Sequence, residues 1–186
     1  MHGLAMIDQW KSAFGTALPA GFLFRDSHPE LWLRVHSLPA SKRYADTSAE
    51  HREVLHRYNS VASHLLGEGS QCTLFIARFG DSLCWDKEDN IALNGRIPNH
   101  AFGSGAGDDS IQFFSLAVTW SAGFFDDLLV QVASDEFRNI LFANLARQTA
   151  FAPYDGGADL FFESPQAKQV AREMWGSWRS GRADGL

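Results

Sequence analysis

Between residues 111 and 164 the chain is a succession of short apolar runs broken by turn residues, and this pattern limits the fold more than any other feature. The runs IQFFSLAVTW (111–120), LLVQVAS (128–134), NILFANL (139–145) and ADLFFES (158–164) read as successive strands, because short apolar segments between turn signals suit a pleated, buried surface. The links between them are short, which implies antiparallel pairing, since a parallel pair needs a long crossover. Tyr154-Asp155-Gly156-Gly157 is a turn signal, because glycine tolerates positive φ. CTLFIARF (72–79) is almost continuously apolar and reads as a central strand. LWLRVHS (31–37) alternates instead. Trp32, Arg34 and His36 should share one strand face, with Leu33 and Val35 on the opposite, more buried one.

Helical periodicity marks three further segments. Leu4, Ile7, Trp10, Lys11 and Phe14 give a short amphipathic helix over 4–14, followed by a connection through Pro19, Gly21 and Pro29. Thr47 and Glu50 have capping-box spacing at the start of a helix over 47–66. Its apolar stripe is Leu55, Tyr58, Ala62 and Leu65, widened by Val54, Val61 and Leu66, and Gly67 stops it. A closing helix begins at Ser164 with Pro165 in its first position, buries Val170, Ala171, Met174 and Trp178, and ends near Gly181. Residues 81–109 carry DKED (86–89) and GSGAGDD (103–109) and read as a long loop with a short strand near 83–85. With 186 residues, roughly 70% of the unfolded chain's surface can be buried. The expected fold is one α+β domain over 1–186, with a mixed or antiparallel sheet of five or six strands and helices packed on one face.

Charge narrows the partners. Lys and Arg number 16 against 22 Asp and Glu, a formal net charge of −6. A nucleic-acid binder shows a basic patch and high pI, so nucleic acid is not expected and a basic protein partner is. The N-terminal MHGLAMIDQWKSAFG is interrupted by Asp8, Gln9 and Lys11 and reads as neither signal peptide nor membrane span. Cys72 and Cys84 have no CxxC spacing and read as free, buried thiols in a reducing cytoplasm.

Three stretches carry chemistry-bearing residues. Arg34, His36, Ser37, Ser41, Lys42, Arg43 and Tyr44 fall within eleven residues. Guanidinium forks, an ammonium and hydroxyl donors are what a phosphate or carboxylate needs; the alternative is a strand leaving the sheet into a solvated Pro turn. In Pro153–Asp159, Asp155 and Asp159 flank a tight turn; they serve as turn acceptors or as cation ligands, but too few oxygens are present for a calcium loop. The Gly-rich 103–109 stretch lacks the Lys-Ser/Thr that follows in phosphate-cradling loops. His51, His56 and His64 do not have zinc spacing, and no GxSxG occurs. No metal and no cofactor are expected.

RVHSLPASKRY (34–44), EVLHRYNSVASHLLG (53–67) and FAPYDGGADLFFESPQAKQVAREMWGSWRS (151–180) together resemble a family of uncharacterised bacterial proteins. In that family a Pro-Tyr-Asp-Gly-Gly hairpin precedes a closing helix with a Trp near its end. The resemblance implies no catalytic residue. The expected function is a non-enzymatic cytosolic protein-binding domain of the immunity or adaptor type, presenting Asp86, Glu88, Asp89, Asp108 and Asp109 to a basic partner. The alternative is an enzyme or binding domain for a small phosphate- or carboxylate-bearing molecule, with Arg34, His36, Ser41, Lys42 and Arg43 gripping the anion and Tyr154 and Asp155 closing the site.

Overall fold

The computed structural model describes residues 2–85, 93, 95–105, 107 and 110–182, with side-chain surroundings from residue 6 onward. The elements run α1 (His2–Phe14), α2 (Gly21–Ser27), β1 (Trp32–His36), α3 (Ser48–Leu66), β2 (Gln71–Phe79), β3 (Asn99–Ser104), β4 (Ile111–Thr119), α4 (Asp126–Ala133), β5 (Ile140–Asn144), β6 (Thr149–Tyr154), β7 (Gly157–Phe161) and α5 (Pro165–Met174). Every strand pair is antiparallel, in the order β1-β7-β6-β5-β2-β4-β3. The α+β class and antiparallel sheet are as the sequence predicts, with seven strands rather than five or six.

Helices cover both faces of this sheet, not one as the sequence predicts, because the aromatic stripe of α1 and α2 buries the second face. Against one face α3, α4 and α5 bury Tyr58, Val61, Leu65, Leu129 and Ala171 over Val35, Leu74, Ile76, Phe142 and Leu160. Against the other, Trp10 and Phe14 of α1 and Phe24 of α2 pack on Phe75, Leu141, Ala150 and Phe161. Phe24 stacks flat on Phe161 at 4.1 Å, and Trp10 donates its indole N–H to the Ala17 carbonyl at 2.7 Å. A buried indole with its N–H satisfied anchors the segment between the two helices. The α2 helix falls within the stretch that the sequence reads as connection.

The α3 helix follows its sequence signals closely. The Glu50 amide donates to Thr47 Oγ1 at 3.2 Å, and the Glu50 carboxylate accepts from the Thr47 amide at 3.1 Å. At the other end, the sheet side chains Asn144 and Thr149 donate to the carbonyls of Leu66 and Leu65, both at 2.7 Å. Orphan carbonyls at a buried helix end require such partners.

Four further expectations are corrected. Residues 128–133 are helical, not extended, and Ser134 caps the helix: Asp126 and Asp127 occupy the first turn, and Leu128, Leu129 and Val132 form the buried stripe. Helical spacing of the apolar residues, with carboxylates near the positive helix end, outweighs the β propensity of two valines. Residues 83–85 form no strand, whereas Asn99–Ser104 pairs with β4 through an irregularity between His100 and Phe102. The α5 helix ends at Met174, and Val170 and Met174 are exposed; Ala171 and Trp175 are buried, with Ala167 and Trp178 packed beside them. Cys72 and Cys84 are both free, but Cys84 is exposed. Burial pushes the Cys72 thiol up to about 11.

The β6–β7 hairpin is a two-residue loop, Asp155-Gly156, closed by the Tyr154–Gly157 pair. Neither Gly156 nor Gly157 has positive φ. Gly157 is needed for a different reason: a Cβ there would overlap the Val35 carbonyl oxygen. Its lack of a side chain is what lets β1 lie close against β7.

Candidate functional site

The β1 strand alternates as its sequence predicts. Leu33 and Val35 are buried beneath α3 and α5, and Trp32, Arg34 and His36 are half-buried on the other face. Arg34 sits directly across from Asp159 in the β1–β7 register. Its Nε and Nη2 donate to Asp159 Oδ1 and Oδ2 at 2.8 and 3.1 Å, and the Trp32 indole N–H donates to the same Oδ1 at 2.8 Å. The guanidinium also lies over the Tyr154 ring at 4.8 Å. Burial pulls the Arg34 pKa down, but the Asp159 bonds prevail and hold it above its ordinary value. This is a bidentate, satisfied pair.

The other residues of the 34–44 stretch also have partners within the chain. Lys42 bonds Asp46 and Glu50 at 2.8 and 2.5 Å. With the backbone amides of the cap, this holds the Glu50 carboxyl at about 2. Asp155 accepts from Arg43 and from the Tyr44 hydroxyl, the latter at 2.9 Å. His36 Nε2 lies 3.2 Å from Ser41 Oγ, and burial together with the nearby Arg34 holds the His36 pKa below its ordinary value. Ala40 and Ser41 both have positive φ, at 54° and 56°. The eleven-residue cluster therefore resolves into three separate pairings: Arg34 with Asp159, Lys42 with the α3 cap, and Arg43 with Asp155. Asp155 and Asp159 each take an arginine rather than a shared cation. Asp86, Glu88, Asp89, Asp108 and Asp109 lie outside the described residues.

A second group of cations is arranged differently. Ser164 caps α5, its hydroxyl accepting from the Ala167 amide at 3.1 Å, and the helix then runs beside the free edge of the sheet at β1. Ala171 and Trp175 point into the core, which leaves Lys168 and Arg172, one turn apart, facing a cleft. Arg179 and Arg182 join from the segment after the helix. Across from them lie Pro29, Trp32, Leu33 and the already paired Arg34. The cleft encloses about 580 Å³, within the range of small-molecule sites. An enclosed apolar cavity beside Leu74, Leu116 and Phe125 offers only about 40 Å³, room for little more than a water.

Electrostatics set this cleft apart. Lys168 donates to the Pro29 and Glu30 carbonyl oxygens at 3.2 and 3.1 Å, which fixes the ammonium without neutralising it. Burial, then the charge of Arg172, holds Lys168 below its ordinary pKa, and the same two causes in the same order act on Arg179. Among the described residues neither Arg172 nor Arg179 has a carboxylate partner. Of the sequence-predicted site residues that are among the described ones, only Arg34 lines this cleft. Lys168, Arg172 and Arg179 were missed, although a sequence signal was present. Lys168 and Arg172 are like charges at i, i+4, a spacing that destabilises a helix unless something else is served.

Residues 20–183 match a family model described as a domain of unknown function (DUF3885). No curated protein and no solved structure matches the chain. Every cleft residue named above falls within the matched stretch.

Proposed function

The chain belongs to the family described as a domain of unknown function (DUF3885), and from that premise we propose that it is a binding domain for a small anionic molecule held between α5 and β1. One observation carries this reading: Lys168, Arg172 and Arg179 converge on one cleft without an ion-paired carboxylate among the described residues, whereas Arg34, which also lines it, is already paired with Asp159. Lys168 and Arg179 are partly buried beside the charge of Arg172, and Glu30 offsets this only in part at Lys168; cations crowded in this way raise the free energy of the unliganded state. An anion entering the cleft relieves that cost and gains charge-assisted hydrogen bonds. No helix among the described residues is long and apolar enough to cross a membrane, and the two free thiols suit a reducing compartment. A cytoplasmic metabolite-binding role is therefore the reading we adopt. The acidic face for a basic protein partner rests on residues outside the described ones, so the cleft supports the function better.

The test is thermal melting at constant ionic strength in phosphate, pyrophosphate and citrate. Binding raises the melting temperature of the native protein. The Arg172→Ala/Arg179→Ala double variant should fold and show no rise. An equal rise in both would remove the cleft as the site.

A further inference from the structure

Resting on the anion-binding reading, we infer that the cleft's ligand carries two phosphate groups, or a diphosphate, on a compact and partly apolar body. The charge count gives the first part. Of the five cations lining the cleft, Arg34 is matched by Asp159 and Arg182 has an interaction of its own, which leaves Lys168, Arg172 and Arg179 with no ion-paired carboxylate among the described residues. A carboxylate brings one negative charge, while a phosphate brings about −1.5 to −2 and three acceptor oxygens. Two phosphates match three cations; one leaves a cation uncompensated. Spacing agrees. Lys168 and Arg172 are four residues apart on α5, about 6 Å along the helix axis. Arg179 approaches from beyond the Gly176–Trp178 turn. The positive centres thus reach the cleft from two segments, α5 and the turn after it.

Shape and lining give the second part. The cleft's 580 Å³ far exceeds what inorganic phosphate fills, and Pro29 and Leu33 form an apolar wall facing the cations. A base stacking on Trp32 would have to compete with Arg25 and Arg34, which lie over its ring at 5.7 and 5.5 Å, and the indole N–H is already spent on Asp159. A small sugar-like or aliphatic body fits this wall better than a nucleobase. Guanidinium forks at Arg172 and Arg179 suit the tetrahedral oxygens, and Lys168, held by two carbonyls, serves as a point charge.

Titration calorimetry on the full chain at constant ionic strength tests this with inorganic phosphate, pyrophosphate, fructose 1,6-bisphosphate and citrate. Vesicles carrying a bisphosphorylated inositol lipid form a separate arm. Pyrophosphate and the sugar bisphosphate should bind about ten- to a hundredfold more tightly than phosphate, the gain expected from one further set of charge-assisted bonds. Arg172→Ala should reduce them to the level of phosphate. Arg172→Lys, which keeps the charge and loses the fork, should fall between. Lys42→Ala, on a cation bound to the α3 cap, should change nothing. Binding to vesicles without binding to the soluble bisphosphate would support the same chemistry presented by a lipid. Equal affinity for phosphate and pyrophosphate, or for citrate and pyrophosphate, would overturn the two-phosphate inference and leave the anion site standing. Failure of every anion to bind would overturn both.

Discussion

Two cation-rich regions lie on this small domain, and they differ in one respect. Along β1 and the turn after it, Arg34, Lys42 and Arg43 each meet a carboxylate of the chain. Along α5 and the turn after it, Lys168, Arg172 and Arg179 meet none among the described residues. The first region looks like an anion site in sequence and is a set of structural clamps in three dimensions. The second is inconspicuous in sequence and remains electrostatically open. Cation density alone therefore does not mark a ligand site; the balance of charge within the fold does.

The largest test of this contrast is Asp159→Ala. It removes the acceptor of both Arg34 and Trp32 from a place where the Asp159 side chain is only 5% exposed. Breaking a buried pair on one side costs about 3–5 kcal/mol, read as a fall in the urea midpoint. Thr47→Ala should cost about 1 kcal/mol, the usual loss of an N-cap hydroxyl. A pH series sharpens the same point. Glu50 has its folded-state carboxyl at about 2 against an ordinary 4.5. Its contribution is full above 4.5 and is lost as pH falls from there toward 2. Glu50→Gln should flatten that part of the stability profile. His36 adds to acid sensitivity with the same sign. Its folded pKa lies below the ordinary 6.5, so the unfolded chain binds the proton more readily and stability falls as pH drops below 6.5.

Much of the fold is legible in the sequence where local and tertiary demands agree. Thr47, Glu50, the apolar stripe and Gly67 announce α3, and the nearly continuous apolar run 72–79 announces β2, the strand between β4 and β5. Legibility fails where a short segment has two readings. The α4 stretch is brief and valine-bearing, and periodicity over so few residues does not separate strand from helix. The β6 strand holds Pro153, which argues against an interior strand; the structure accommodates it beyond the last β5–β6 pair, Phe142–Phe151, where β7 alone continues the ladder. The cleft was hidden for a longer-range reason. Residues 29–34 and 168–182 are far apart in the chain. Only the packing of Ala171 and Trp175 beneath α5 brings them face to face. Partner assignment was hidden too, because nothing local shows that Arg34 would find Asp159, 125 residues away.

The smallest expected stability change belongs to the open region and tests the central claim most directly. Urea denaturation of the native chain and of the Arg172→Ala/Arg179→Ala variant should be measured with and without pyrophosphate at constant ionic strength. Without the anion the variant should match the native protein within about 0.5 kcal/mol or exceed it, since cations that serve no partner can be removed freely. With the anion at about a hundred times its dissociation constant, the native protein alone should gain about 2.7 kcal/mol. A variant markedly less stable in the absence of anion, together with an equal gain in both proteins on adding it, would show that these arginines hold the fold and that the ligand binds elsewhere.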